Sequence, residues 1–132
     1  MTRASGTFEV KLTPLDHHAT AEPTLGRMAL DKVLRGDLEA TGTGEMLTAG
    51  TAVKDSAGYV AVERITGTLH GRTGSFALLH TGVMARGAGQ LTITVVPDSG
   101  TGELAGISGT LGIAIRDGKH FYDLDYTLPG PG

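Results

Sequence analysis

Short turn-forming sequences recur along the chain and divide it into segments of roughly 8–14 residues. They are rich in Gly, Asp, Ser and Pro, the residues that favour tight turns for distinct backbone reasons. The clearest of them are KDSAG (54–58), HGRTG (70–74), ARGAG (85–89), PDSGTG (97–102) and RDGK (116–119). Six or more short strands joined in meander order predict an all-β fold, either a barrel or a sandwich.

The glycine content supports curved strands. The chain holds 21 Gly without a collagen period, together with many Thr, Val, Leu and Ile residues. Glycine within strands marks bulges and bends, so this composition predicts curved antiparallel strands. One segment departs from the pattern: residues 26–40, GRMALDKVLRGDLEA, form a weak helix candidate that Gly36 interrupts.

Composition and charge exclude several classes of protein. A chain of 132 residues suits one domain, and we expect residues 1–132 to form a single β-barrel domain. The net charge of -3 and the lack of a basic cluster predict no nucleic-acid partner. Without cysteine, disulfides, thiolate chemistry and Cys-based zinc sites are excluded. No apolar run approaches the roughly 20 residues that span a bilayer, and no signal-peptide region is visible, so we expect no membrane partner and a cytoplasmic location.

Hairpin geometry assigns residues to faces of the strands, because the length of a turn sets the register. A tight turn at residues 71–72 places Glu63 opposite His80. A turn at residues 87–88 then places His80 opposite Val95. In this interpretation Glu63 and His80 lie on the apolar, inward face of the sheet.

The Asp117-Gly118 pair is the strongest hairpin signal in the chain, since it favours a type I′ turn. It places Gly109 opposite Tyr126 and Ile113 opposite Tyr122. A small residue facing a large one suits the tight interior of a small barrel.

Glu63 and His80 would be cross-strand neighbours with Cβ atoms about 4.5–5.5 Å apart if directly opposed. Burial raises the pKa of a carboxyl group, and a charged carboxylate raises the pKa of a nearby imidazole, so the two would titrate as a coupled pair. Two interpretations stay open. The pair is either a buried ion pair that fixes the register, or a catalytic acid–base pair.

The candidate ligand contacts are mostly inner-face residues, namely Tyr59, Phe76, Met84, Glu103, Tyr122 and Tyr126. The tyrosine hydroxyls would orient a polar group on an otherwise apolar ligand. Alternatively, the tyrosines are core aromatic residues whose hydroxyls lie at the barrel rim. Glu103 is expected early in a strand, pointing inward near one mouth. The adjacent His17 and His18 lack a third ligand, so we predict no metal and no other cofactor.

Three long segments resemble an uncharacterised bacterial family, domain of unknown function 3224: AGYVAVERITGTLHGRTGSFALLHTG, LTITVVPDSGTGELAGISGTLGIAI and DGKHFYDLDYTL. The resemblance covers roughly residues 36–128. It implies an eight-stranded antiparallel barrel in mostly meander order, like that of plant allene oxide cyclase, which closes a ring in an oxylipin without a cofactor. No cyclase motif carries over residue by residue, so the resemblance implies the fold and not the activity.

Three functions are compatible with these observations. The barrel would bind a small apolar or amphipathic molecule, since eight strands enclose room for one small ligand. It would act as a cofactor-independent isomerase, cyclase or lyase with Glu63 and His80 as the acid–base pair. Alternatively, it would be a non-catalytic homo-oligomer with a packed interior, because the outward face of the central hairpin is unusually apolar.

Overall fold

A computed structural model describes residues 1–15 and 24–129 of the chain. Eight strands form one closed antiparallel barrel in which each strand pairs with its neighbours in sequence and β1 also pairs with β8. The predicted all-β, eight-stranded closed barrel is therefore confirmed. The strands are β1 (Thr2–Pro14), β2 (Thr24–Gly36), β3 (Leu38–Gly50), β4 (Ala57–Leu69), β5 (Arg72–Ala85), β6 (Ala88–Val95), β7 (Ser108–Arg116) and β8 (Lys119–Thr127).

The helix expected over residues 26–40 is wrong, because this segment forms most of β2 and the start of β3. Side chains here alternate with a period of two. Leu30, Lys32 and Leu34 are buried, whereas Asp31 and Val33 between them are exposed. Pairing with both neighbouring strands outweighs the weak helical propensity of the segment.

The β7–β8 hairpin has the predicted register. Gly109 faces Tyr126 and Ile113 faces Tyr122. Asp117 and Gly118 have φ values of 52° and 77°, as a type I′ turn requires of its two central residues.

The other two registers differ from the prediction by two residues. The β4–β5 turn consists of His70 and Gly71, with φ values of 45° and 81°, so Glu63 lies opposite Leu78. His80 consequently pairs with Ala61 on β4. A slip of two residues keeps every side chain on its predicted face, because side chains alternate with a period of two.

The β5–β6 turn repeats this difference. Its two central residues are Arg86 and Gly87, with φ values of 50° and 92°, rather than residues 87–88. His80 therefore pairs with Ile93 on β6, and Val95 pairs with Leu78.

The two ends of the barrel differ in packing. The end that carries the β2–β3, β4–β5 and β6–β7 connections, here called the closed end, is filled by the side chains of the hydrophobic core. Residues 97–107 fold over it and include a single 3₁₀ turn, Gly102–Leu104, from which Leu104 enters the core. The opposite end, here called the open end, leaves several inward-facing side chains exposed, among them Met84, Leu91 and Ile115.

One junction in the barrel wall is much shorter than the others. β6 and β7 are paired at one position only, where Thr94 lies opposite Thr110. By contrast, β3 and β4 pair along their whole length, from Leu38 opposite Leu69 to Gly50 opposite Ala57. The two strands separate toward the open end. We call the facing edges, residues 88–93 of β6 and 111–116 of β7, the β6–β7 seam.

Within residues 1–15 and 24–129, no helix is long and apolar enough to cross a membrane.

Candidate functional site

Three ionisable side chains meet inside the barrel, about midway along its strands. Lys32 Nζ donates a hydrogen bond to Glu63 Oε1 at 2.9 Å, and His80 Nε2 lies 3.1 Å from the same oxygen. The side chains of Lys32 and His80 are 4% exposed and that of Glu63 is fully buried. The structure therefore brings Glu63 and His80 together and adds a third member, and we call this group the Lys–Glu–His cluster.

The cluster is assembled from three strands whose inner faces carry one member each. Lys32 lies on β2, Glu63 on β4 and His80 on β5. Between Lys32 and Glu63 runs β3, which presents only glycine there: Gly42 is opposite Lys32 and Gly44 is opposite Glu63. The long side chains thus reach each other across a strand that has no side chains in the way.

Neither glycine position has room for a side chain, because at Gly44 an added Cβ atom would collide first with the Val62 carbonyl oxygen of β4 and then with Glu63. A Cβ atom on Gly44 would lie 2.8 Å from Glu63 Cβ. A Cβ atom on Gly42 would lie 2.9 Å from Ile65 Cδ1 and 3.4 Å from Glu63 Oε2. Glu63 Oε2 itself is buried and has no hydrogen-bond partner among residues 1–15 and 24–129, although Oε1 has two.

The cluster keeps Glu63 ionised. Burial is the largest single influence and by itself raises the pKa of the Glu63 carboxyl group. The hydrogen bond from His80, together with the charge and hydrogen bond of Lys32, outweighs burial and places the pKa below its ordinary value. The expected rise in the Glu63 pKa is therefore wrong, because the hydrogen bond from His80 and the charge and hydrogen bond of Lys32 together outweigh burial.

Lys32 was missed because its segment was interpreted as a helix. The signal was present in the sequence: a strand with Leu30 and Leu34 facing inward must also direct Lys32 inward. The ammonium group lies 4.9 Å from the centre of the Phe8 ring, a cation–π contact that offsets part of its lost hydration.

An apolar cleft lies at the open end. Its volume is about 510 Å³, and it is lined by residues of β3–β6, several of which face inward. The principal ones are Met46, Tyr59, Met84 and Leu91. The Tyr59 ring lies across Gly82, where an added Cβ would be 2.4 Å from a ring carbon. Burial and then the nearby charge of Glu63 raise the pKa of the Tyr59 hydroxyl, so it stays protonated at neutral pH.

The predicted ligand contacts divide between the two ends of the barrel. Tyr59 and Met84 line the cleft, whereas Phe76, Tyr122 and Tyr126 are packed into the core at the closed end. The Tyr122 hydroxyl accepts a hydrogen bond from Leu38 N at 2.9 Å and also contacts the carbonyl oxygens of residues 35 and 38. The Tyr126 hydroxyl lies 2.6 Å from His70 Nδ1. Both hydroxyls are therefore already occupied by protein groups.

The expected placement of Glu103 is wrong. It lies in the 3₁₀ turn at the closed end, where its side chain is exposed and accepts a hydrogen bond from Thr73 N at 3.0 Å. The sequence GTGEL forms a turn that ties residues 97–107 to β5, instead of the start of an inward-facing strand.

In the described part of the chain, no group of three or more His, Asp or Glu side chains is arranged to hold a metal ion. His17 and His18 lie outside the described residues.

The fold and this site define a class of protein: a small closed antiparallel β-barrel with a buried Lys–Glu–His cluster and an apolar cleft at one end. A family model described as protein of unknown function (DUF3224) matches residues 4–126. The chain therefore belongs to the DUF3224 family, as its resemblance predicted.

A solved structure supports this assignment. A protein of unknown function from the same family in Shewanella oneidensis MR-1 is 52% identical to this chain, with a TM-score of 0.95 over 99% of each chain. A search of curated proteins returned no match. The further likeness to allene oxide cyclase stays a prediction.

Proposed function

We propose that this barrel binds one small apolar or amphipathic molecule in the cleft at its open end. The observation that carries the proposal is the exposure of inward-facing apolar side chains around that cleft. Met84 is 43% exposed and Leu91 45% exposed, although both belong to the face that forms the core elsewhere. Concave apolar sites with a few polar groups are the usual form of small-molecule sites.

The chemistry of the lining suits an amphipathic ligand of variable shape. Met46 and Met84 are flexible and polarisable, so they adapt to irregular apolar groups. Tyr59, Thr48 and Gln90 supply polar groups at the edge of the same cleft. The Tyr59 hydroxyl is protonated at neutral pH and can donate a hydrogen bond to a polar end group of the ligand.

Fluorescence titration with an apolar dye such as 1-aminoanthracene tests the proposal. Leu91→Glu, which places a charge in the cleft, should weaken dye binding at least about tenfold, since an unpaired carboxylate in an apolar site is costly. The matched control is Ile115→Glu, at an inward-facing, 65% exposed position that does not line the cleft. Equal affinity in the two variants would contradict the proposal.

Native mass spectrometry of the protein purified from its own host identifies the natural ligand. We expect an additional mass in the wild type that is lost from Leu91→Glu and retained in Ile115→Glu. An additional mass retained by both variants would place the ligand elsewhere.

A second candidate function is cofactor-independent proton transfer, as in an isomerase, cyclase or lyase. It is favoured by Glu63 Oε2, an ionised and buried carboxylate oxygen without a partner, which is the kind of atom that removes a proton. In this role Glu63 acts as the base, and Lys32 and His80 hold it in its ionised form.

The ligand identified by mass spectrometry provides the test of this second function. In deuterium oxide, a proton-transfer enzyme exchanges hydrogen between the bound molecule and solvent. Wild-type protein should catalyse this exchange and Glu63→Gln should lose it while still binding the apolar dye. Equal exchange rates in both proteins would remove Glu63 as the base and leave the cluster as a structural ion pair.

We also propose that the barrel forms a homo-oligomer through the outer faces of β3, β4 and β5. Apolar side chains are exposed next to each other there, from Leu47 and Val60 on neighbouring strands to Val62 and Leu79 on the next pair. Solvated outer faces of antiparallel sheets are normally polar. Light scattering should give a multiple of the chain mass for wild type and a smaller species for Val62→Glu, and a wild-type monomer at micromolar concentration would exclude the oligomer.

A further inference from the structure

Any small molecule that reaches the Lys–Glu–His cluster must pass through the wall or the core of the barrel. The side chains of Lys32, Glu63 and His80 are 0–4% exposed, and the apolar cleft is not lined by any of them. A static barrel with this packing would keep the cluster isolated from solvent. The question is therefore which part of the wall opens most easily.

The β6–β7 seam is the weakest part of the wall. Between Thr94 and the open end, β6 and β7 are not in register, so this length of wall lacks the ladder pairing found between the other strands. Regions with few backbone pairings open locally at low free energy. An open groove of about 350 Å³ runs along the outer side of the seam; both seam edges line it, and so do the charged residues Arg3, Asp123 and Asp125 of β1 and β8.

The seam is also next to the cluster. His80 pairs directly with Ile93, whose β-strand forms one edge of the seam. Ile93 is 2% exposed and Leu111 is 6% exposed, so their side chains point into the barrel, and both residues also border the seam groove. Both side chains belong to the edge of the hydrophobic core, and their movement would open a path to His80.

We propose that the β6–β7 seam is a lateral portal through which small molecules reach the Lys–Glu–His cluster. The portal opens when β7 moves away from β6 beyond Thr94 and Thr110, and the side chains of Ile93 and Leu111 close it. The proposal extends the second candidate function and rests on it in one respect: the molecule that passes through the portal would be the substrate of the proton transfer. Access to His80 itself is measured without any ligand.

Because the chain has no cysteine, a cross-link can be placed in the seam alone. Thr92→Cys and Gly112→Cys put two exposed thiols on its facing edges, and a Cβ atom on Gly112 meets nothing closer than 4.0 Å. One sample is linked with a short bis-maleimide. The matched control is the same double variant capped at both thiols with N-ethylmaleimide, which adds similar bulk without joining the strands.

The measured quantity is the rate at which diethyl pyrocarbonate acylates His80, followed by peptide mass spectrometry and divided by the rate at His70 on the exposed β4–β5 turn. The linked protein should show at least about a fivefold lower ratio than the capped protein, since the cross-link suppresses local opening. A cross-link between Thr43→Cys and Arg64→Cys, on the fully paired strands β3 and β4, should leave the ratio unchanged. Equal ratios in the linked and capped seam variants would overturn the proposal.

A truncation provides an independent measurement. Leu111→Ala removes one of the two side chains that close the portal and should raise the His80 ratio several-fold. Leu104→Ala removes the same atoms from a buried leucine at the closed end and should not. A larger rise for Leu104→Ala than for Leu111→Ala would show that His80 is reached through general loosening of the core, and the portal would be wrong.

Discussion

The two ends of the barrel are built from the same strands with the same alternation, yet they differ in what the inner face does. At the closed end, Phe76 and Tyr122 are about 1% exposed, and residues 97–107 cover the core. At the open end, Met84 and Leu91 occupy equivalent inward-facing positions and are about half exposed. The difference predicts that the closed end carries most of the stability of the fold, and it leaves the open end for the binding that we propose.

The strongest test of this difference compares truncations at the two ends. Phe76→Ala should lower the free energy of unfolding by about 3–5 kcal/mol, because it leaves a cavity in a packed core. Met84→Ala should lower it by less than about 1 kcal/mol, since the side chain is already partly in solvent. Urea denaturation measures both changes, and similar losses at the two ends would contradict a division of roles.

The Lys–Glu–His cluster lies between the two ends and should behave like the closed one. Lys32→Met and Glu63→Gln should each cost roughly 3 kcal/mol, because each leaves a buried charge without its partner. The double variant should cost clearly less than the sum of the two, as expected for groups in direct contact. Additive losses in a double-mutant cycle would mean that the two side chains do not interact in solution.

Removing a single tyrosine hydroxyl at each end of the barrel should produce a smaller difference in stability of the same kind. Tyr122→Phe should cost about 1–3 kcal/mol, because it leaves the buried Leu38 N–H without its acceptor. Tyr59→Phe should change stability by less than about 0.5 kcal/mol, since within residues 1–15 and 24–129 its hydroxyl makes no hydrogen bond. Thermal or urea unfolding of the two variants measures both losses of stability. A larger loss for Tyr59→Phe than for Tyr122→Phe would contradict the roles given to the two hydroxyls.

The smallest expected effect is the contribution of Glu63 to acid sensitivity. Its pKa is lower in the folded protein than the ordinary 4.5, so the stabilisation is complete above about pH 4.5 and is lost as the pH falls through the folded-state value. Down to pH 4 the loss should be under about 1 kcal/mol.

The comparison of wild type with Glu63→Gln isolates this contribution. Between pH 7 and pH 4, wild type should lose more stability than the variant, which has no carboxyl group at that position. An identical pH dependence of the two proteins would show that the Glu63 pKa is not lowered by folding.

The inward face of β4 to β8 could be predicted from the sequence, because alternation has a period of two and survives small errors of register. Glu63, His80 and Tyr122 were assigned to the inside on this basis and lie there. The register of the hairpins was harder to predict than the face of each side chain. In two hairpins a bulky residue, His70 or Arg86, takes the positive φ of the first turn position, which sequence preferences assign to Gly, Asn or Asp.

The candidate site was only partly predictable for a different reason. Lys32 comes from a strand far away in the sequence, and its segment had a competing helical pattern. The open cleft depends on where the strands end and separate, as at β6 and β7, and no local pattern encodes that separation. Tyr59 and Tyr126 therefore looked equivalent in sequence, although one lines a cleft and the other bonds to His70.

The glycines beside Glu63 give its side chain a role apart from its charge. With Gly42 and Gly44 on the adjoining strand, the carboxyl group is also the spacer that fills this layer of the barrel. A shorter side chain at position 63 would open a void bordered by two residues that have nothing to extend into it. Redesigning this layer without charge therefore requires an apolar replacement as long as glutamate, such as methionine, together with a neutral residue in place of Lys32.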